Sequence, residues 1–173
     1  MSSNPIRDSH MHRLLAFSLV SVLTVGCSDA DASPERVAIA SGIPVNQVLP
    51  TIVVYKTAAC GCCNGWVEHL EAAGFPVDAR NVTDIMSVKR DGGVPVSMSS
   101  CHTAIVDGYV VEGHVPADQV KRLLAERPDI AGIAAPGMPI GSPGMEGPGA
   151  KPYQVLSFTR DGQAAVFADI DPR

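Results

Sequence analysis

Three of the five cysteines fall within four positions, in Cys60-Gly61-Cys62-Cys63. Cys60 and Cys63 alone form a Cys-x-x-Cys motif, whose spacing suits a redox pair with Cys60 as the attacking thiol and Cys63 as the resolving thiol. Cys62 changes the chemistry, because three crowded thiolates repel one another and a soft cation relieves that repulsion. Thiolate ligands select Cu(I), Zn(II) or iron–sulfur clusters. The motif therefore indicates a disulfide-exchange site, a metal site or both.

A fourth thiol, Cys101, follows a loop that contains Pro95. We expect Cys60, Cys62, Cys63 and Cys101 to bind copper as Cu(I). Zinc is less favoured, since structural zinc sites usually combine two separated Cys-x-x-Cys knuckles and only one is present here. Two simpler interpretations stay open. In the first, Cys63 is only a small buried apolar residue. In the second, a purely structural disulfide joins Cys60 to Cys63 or includes Cys101.

Two histidines and two methionines are secondary candidates for the site. His102 directly follows Cys101, and His114 lies farther along the chain. Either is a possible ligand or a proton carrier near pH 7, and the alternative is a surface or hydrogen-bonded histidine. Met138 and Met145 carry thioethers that suit Cu(I), and gap-filling packing is their alternative role.

The elements that must position these residues alternate from residue 51 onward. In chain order, the patterns predict a strand over residues 51–56, a helix over 62–73, a strand over 76–82, a short helix capped by Thr83, a hairpin around Asp107-Gly108, and a helix from Pro116 that closes before Pro128. This is the element order of a thioredoxin-like domain. A right-handed crossover through the first helix makes the first two strands parallel.

The first helix places the cysteines at its start. Cys63, Trp66 and Leu70 share one face, so we expect Trp66 in the core and His69 in solvent. The unpaired N–H groups and the positive end of the helix dipole favour thiolate over thiol at Cys60 and Cys63. The loop before Cys101 lies against this helix start in thioredoxin-like folds, and Pro95 is a candidate for their cis-proline.

The C-terminal third is rich in glycine and proline. Residues 131–150 contain too many of both to continue a helix or strand. A second hairpin follows, with strands over residues 153–158 and 164–168. Because strands lie on both sides, the segment is expected to be a packed or functional loop. The predicted fold class is α/β, a thioredoxin-like domain with a mixed sheet and flanking helices, plus this loop and hairpin.

The N-terminus has the pattern of an export signal. A weakly basic start precedes the apolar run of residues 14–25, which is shorter than the roughly 20 residues of a membrane-spanning helix. Thr24-Val25-Gly26-Cys27 resembles the lipobox of bacterial lipoproteins, in which Cys27 is lipidated. The alternative is a plain secretory signal cleaved nearby. Ser28 after the cysteine favours retention in the outer membrane over the inner membrane. The predicted location is therefore the periplasm, with a lipid anchor in the outer membrane.

These patterns divide the chain into a signal peptide over residues 1–26, a tether over 27–48 and a folded domain over 49–173. The formal charge of −5 and the aromatic content of 5% argue against a nucleic-acid partner.

Several stretches together resemble the CopG-like family of exported copper-resistance proteins. They are Val54–Cys63 with Trp66, Ser100–Ala104, Gly108–Pro116, Leu123–Pro128 and Pro136–Met145. The resemblance implies a thioredoxin-like fold in which Cys60, Cys62, Cys63 and Cys101 bind copper. It also implies thiol redox chemistry linked to the copper oxidation state and a role beside periplasmic metal export. The rival hypothesis is an enzyme, a thiol–disulfide oxidoreductase acting on exported proteins. A third is an envelope lipoprotein with a merely structural disulfide.

Overall fold

The computed structural model describes residues 48–172. The predicted signal peptide, Cys27 and all but the last residue of the tether lie outside this range. No helix within it is long and apolar enough to cross a membrane.

The described chain forms one seven-stranded sheet with three α-helices. In chain order the elements are β1 Ile52–Lys56, α1 Gly61–Ala72, β2 Val77–Asn81, α2 Ile85–Asp91, β3 Thr103–Val106, β4 Tyr109–Glu112, α3 Ala117–Glu126, β5 Gly132–Ala134, β6 Tyr153–Phe158 and β7 Ala164–Ile170, with a 3₁₀ turn at Val96–Met98. The sheet order is β2-β1-β3-β4-β5-β6-β7. Both predicted hairpins and all three predicted helices are confirmed.

The mixed sheet confirms the thioredoxin-like prediction. β1 and β2 are parallel, while β3 is antiparallel to both β1 and β4. The β3–β4 turn confirms the Asp-Gly signal, because Asp107 and Gly108 both have positive φ values, 48° and 86°. The larger core cluster joins β1 to α1 and α3, and its members include Ile52, Val54, Trp66, Leu70, Val120 and Leu123.

The prediction that residues 131–150 contain no strand is wrong for Gly132–Ala134, which form β5. This strand pairs parallel to β4 and antiparallel to β6. Gly132 weighed against a strand in the sequence pattern. In the fold it is required, because a Cβ there would overlap the Val110 carbonyl oxygen and approach Phe158 Cζ to 2.9 Å. The close approach of two strand backbones therefore explains a glycine that otherwise reads as a breaker.

Two local predictions are also corrected. The cap of α2 is Asp84 and not Thr83, since the Asp84 carboxylate accepts the Ser87 N–H at 3.1 Å. A carboxylate is the stronger acceptor for an orphan helix N–H. Pro95 is not a cis-proline: its peptide bond is trans.

Candidate metal centre

The four predicted cysteines meet where α1 begins. Cys60 is the residue before the helix, Cys62 and Cys63 lie in its first turn, and Cys101 arrives from the segment before β3. Cys60 and Cys63 form a disulfide, while Cys62 and Cys101 are free thiols. Cys101 Sγ lies 3.5 Å from Cys63 Sγ and 3.9 Å from Cys62 Sγ, which in turn lies 3.6 Å from Cys60 Sγ. All four sulfur atoms fall within 4.8 Å of one another.

The cluster is closed at Cys63 and partly exposed at its other three cysteines. Cys63 is fully buried beside Trp66 and Leu70, as predicted from the helical spacing. Cys60, Cys62 and Cys101 are only partly buried. A small ion or another thiol can therefore approach past Cys60 and Cys62, whereas the Cys63 side is closed by the core.

Cys101 also joins the cysteines to the two histidines. His114 Nε2 lies 3.1 Å and His102 Nδ1 3.4 Å from Cys101 Sγ. Both histidines are fully buried, so the surface alternative is wrong for each. His114 Nδ1 lies 2.8 Å from the Pro143 carbonyl oxygen, which can only accept, so Nδ1 carries the proton. The lone pair of Nε2 therefore faces Cys101, as in a histidine that ligates a metal.

Burial keeps these groups neutral. It lowers the pKa of His102 to about 3, and His114 and Lys89 add to the effect. Burial also lowers the pKa of His114, against the opposing hydrogen bond to Pro143. For Cys101, burial and then the neighbouring Cys62 raise the thiol pKa to about 11. These pKa directions favour neutral imidazoles and a protonated Cys101, and a cation would have to displace that proton.

His102 is held by stacking. Its ring lies 4.4 Å from the Trp66 ring and meets the His114 ring edge-on at 4.9 Å. Trp66 is in the core as predicted, and its Nε1–H donates to the Val115 carbonyl oxygen at 2.8 Å. Within residues 48–172, His102 Nε2 is buried without a hydrogen-bond partner. The ring is therefore placed by packing and by the contact of Nδ1 with Cys101.

The Gly/Pro segment packs over the helix start, as expected of a packed loop. A Cβ on Gly65 would lie 2.9 Å from Gly144 Cα. A Cβ on Gly144, whose φ is +80°, would lie 2.5 Å from the Cys62 carbonyl oxygen and 2.6 Å from Trp66 N. The two backbones therefore touch without side chains between them. This contact brings Pro143, next to Gly144, to His114.

The two methionines occupy the same segment. Met138 is 55% exposed and follows Gly137, whose N–H donates to the Ser99 carbonyl oxygen at 3.2 Å. Met145 is partly buried in a turn, where its N–H donates to the Ser142 carbonyl oxygen at 2.8 Å. Their thioethers stay predicted ligands.

Sequence reasoning misplaced one histidine and missed an ion pair. His69 is not simply solvent-facing, because its Nε2 accepts the N–H of Ala117, the first residue of α3, at 3.0 Å. Lys89 and Glu112 form a buried ion pair. The available signal was Glu112, a charged residue at the end of the otherwise apolar strand Tyr109–Glu112. If that strand is buried, Glu112 needs a partner of opposite charge, since charged residues are rarely buried unless paired.

Comparison with known proteins gives the chain a family. Two solved structures, titled "Copper resistance protein copG", Form 2 and Form 1, are each 50% identical to it. The first covers 71% of this chain and 99% of its own, with a TM-score of 0.68, and the second covers 70% and 98%, with a TM-score of 0.67. The chain belongs to the CopG copper-resistance family.

The other comparisons add to this assignment. Residues 98–145 of the CopG-family chain match a family described as "Protein of unknown function, DUF411". That range spans Cys101, both buried histidines and both candidate methionines. The comparison with curated proteins gave no match. The predicted CopG-like resemblance and the thioredoxin-like fold are thereby confirmed.

Proposed function

We propose that this protein binds copper as Cu(I) through Cys60, Cys62, Cys63 and Cys101, facing the periplasm, in metal tolerance and export. The observation that carries the proposal is the cluster of four Sγ atoms within 4.8 Å of one another. Thiolate sulfur is the donor type that selects Cu(I). The titles of the two CopG relatives, which name copper resistance, support the choice of copper over zinc.

The surroundings of the cluster suit a thiolate site. Bringing thiolates together is unfavourable by charge repulsion, and the unpaired N–H groups in the first turn of α1 offset part of it. His114 Nε2 presents a lone pair at 3.1 Å from Cys101 Sγ and would supply a nitrogen ligand. His102, Met138 and Met145 would complete or cover the site.

Binding and release would be coupled to the redox state of the Cys60–Cys63 pair. Oxidation of the two thiolates by an external disulfide transfers two electrons to that disulfide, which becomes a dithiol, and removes two of the four sulfur ligands. Cu(I) would then keep only Cys62 and Cys101 as sulfur ligands, which weakens its binding and favours its release. Reduction by an external dithiol returns two electrons and restores both ligands. The disulfide between Cys60 and Cys63 corresponds to the released state in this cycle.

Anaerobic competition for Cu(I) against a chromogenic chelator tests the proposal. Reduced wild-type protein should bind tightly, and Cys60→Ser/Cys63→Ser should lose more than about 100-fold in affinity, beyond what loss of a ligand's hydrogen-bond partner costs. Cys27→Ser, which removes a cysteine that is not one of the four proposed ligands, is the control and should bind like wild type. Equal Cu(I) affinity in the cluster variant and the control would sink the proposal.

The proposed location depends on Cys27. An outer-membrane lipoprotein would incorporate labelled palmitate and sediment with membranes, and Cys27→Ser would do neither. Recovery of unmodified wild-type protein in the periplasmic soluble fraction would instead support the plain secretory signal.

A thiol–disulfide oxidoreductase acting on exported proteins is the second candidate. The observation that favours it is a Cys60–Cys63 disulfide at the start of α1 in a thioredoxin-like fold, with the first cysteine partly exposed and the second buried. An insulin-reduction assay separates the two functions. The copper-binding proposal expects little activity, and turnover abolished by Cys60→Ser would favour the enzyme.

A further inference from the structure

A buried charge pair lies behind the segment that carries Cys101. Lys89 Nζ of α2 lies 2.5 Å from Glu112 Oε1 of β4, and their side chains are 4% and 0% exposed. Removing two charges from water is costly, and apolar residues of similar volume often serve stability as well or better. Stability alone is therefore a weak explanation of this pair. The hydrogen bonds that its atoms make to neighbouring residues offer a better one.

The Glu112 carboxylate holds the chain on both sides of Cys101. Its Oε1 accepts the backbone N–H of Ser100 at 2.6 Å, and its Oε2 accepts the Thr103 hydroxyl at 2.7 Å. Lys89 Nζ donates to the Thr103 hydroxyl oxygen at 3.1 Å, which closes the network. Two residues after Glu112, beyond the end of β4, His114 Nε2 lies 3.1 Å from Cys101 Sγ. One carboxylate thus connects both backbone stretches that carry Cys101, His102 and His114.

Other contacts hold the Ser100 side chain, whereas the Glu112 carboxylate holds the Ser100 backbone N–H. Its hydroxyl donates to the Gly137 carbonyl oxygen in the Gly/Pro segment. A Cβ on Gly113 would lie 2.5 Å from Ser100 Cβ, so the Ser100 side chain already packs directly against the Gly113 backbone. Gly113 N–H donates to the His102 carbonyl oxygen at 3.1 Å. With Glu112 removed, the Ser100 N–H loses the acceptor that holds it against β4.

We propose that Glu112, neutralised by Lys89, is a positioning residue that fixes the Ser100 backbone and thereby holds Cys101 Sγ against Cys63 and His114. The inference rests on the proposed function, since it names what orders the fourth sulfur ligand. Charge-assisted hydrogen bonds to a carboxylate are short and geometrically specific, which suits this task. Loss of such a partner typically costs metal sites about 10–100-fold in affinity.

Two double variants isolate the hydrogen bond from the charge. Lys89→Met/Glu112→Gln removes both charges but keeps an acceptor oxygen for Ser100 N–H. Lys89→Met/Glu112→Leu removes both charges and the acceptor. Neither leaves a buried unpaired ion, so both should fold, and circular dichroism with thermal denaturation checks this. A merely structural role for residue 112 would change the stability of the two variants without changing the sulfur geometry.

The position of Cys101 Sγ relative to Cys63 Sγ can be measured without copper. In a Cys60→Ser/Cys62→Ser background, equilibrium with glutathione gives the effective concentration for forming a Cys63–Cys101 disulfide, assigned by peptide mass spectrometry. We expect the Gln variant to match the background protein and the Leu variant to fall about tenfold or more. Equal values for folded Gln and Leu variants would overturn the proposal.

Cu(I) competition on the two double variants with all cysteines present completes the test. The Leu variant should bind about 10–100-fold more weakly than the Gln variant. If wild-type protein fails to bind Cu(I) while the disulfide measurement still separates Leu from Gln, the proposed copper function is wrong and the positioning role stands. If Cu(I) binding is tight and equal in both variants, the positioning role is refuted and copper binding stands.

Discussion

Replacing Gly65 by alanine should separate the requirements of helix α1 from those of the metal centre. An added Cβ would lie 2.9 Å from Gly144 Cα. Carbon atoms pack best at about 3.5–4.0 Å, so the Gly/Pro segment would have to retreat by about 0.6–1.1 Å. A sideways shift of the segment is restricted, because the Gly144 backbone also packs against the Cys62 carbonyl oxygen. The retreat would carry Pro143 away from His114.

Two opposing energies act on the stability of the Gly65→Ala protein. Alanine in place of glycine stabilises a helix interior by about 1 kcal/mol. Overpacking against a backbone costs about 1–3 kcal/mol. The expected net change in the free energy of unfolding is a loss of about 0–2 kcal/mol. Gly61→Ala is the matched control, since a Cβ at Gly61 meets nothing within 4 Å. The control should be neutral or slightly stabilised.

The loss of Cu(I) affinity in Gly65→Ala should be larger, in free energy, than the loss of folding stability. The hydrogen bond from His114 Nδ1 to the Pro143 carbonyl oxygen is 2.8 Å long and would not survive an ångström-scale shift. Loss of a partner that orients a ligand costs about 10–100-fold in metal affinity. Urea denaturation of the reduced protein and anaerobic Cu(I) competition measure the two quantities. If Gly65→Ala matches Gly61→Ala in both, the segment does not act on the site as reasoned.

Two further predictions concern His69 and Trp66. Burial lowers the pKa of His69 despite opposition from Glu146 and Asp118, and the Ala117 N–H needs its neutral form. The hydrogen bond of His69 should therefore contribute its full stability above pH 6.5, the usual histidine pKa, and lose it as the pH falls below that value. His69→Gln keeps a side-chain acceptor that does not titrate, so its melting temperature should change less than that of wild type between pH 7.5 and pH 5. Parallel changes in the two melting temperatures would contradict this. Trp66→Phe should cost about 2–4 kcal/mol in urea denaturation, from a buried carbonyl left without its donor and from lost ring volume. A cost below about 1 kcal/mol would mean that water replaces the indole N–H.

Local patterns sufficed for the elements of the thioredoxin-like part. Thr51–Lys56 is apolar and β-branched, the stripe of Cys63, Trp66 and Leu70 has helical spacing, and Asp107-Gly108 suits a tight hairpin turn. Each signal depends on neighbours a few residues apart, and each is confirmed. Once the order of elements is known, the convergence of Cys101 with the helix start follows from topology. The cysteine cluster could therefore be predicted before the structure.

The features that were missed depend on long-range partners. β5 forms because Gly132 fits between Val110 and Phe158, residues that a local window does not contain. Lys89 and Glu112 are 23 positions apart, and nothing local marks Lys89 as buried. His69 reaches Ala117 across 48 positions. Residue type and spacing describe what a side chain can do, whereas these contacts depend on what the completed fold brings to it.

The placement of β5 has a consequence for how the proposed metal site can change. β5 and β6 are hydrogen-bonded neighbours, with Ala134 opposite Leu156, so the sheet fixes both ends of the intervening segment. Lengthening a closed loop is inexpensive, since each doubling costs only about 0.6 kcal/mol. Insertions placed away from Gly137 and Gly144, whose backbones contact Ser100 and Cys62, can therefore leave strand register and the four cysteines unchanged. Within these limits, the proposed thioether ligands can be exchanged without rebuilding the domain.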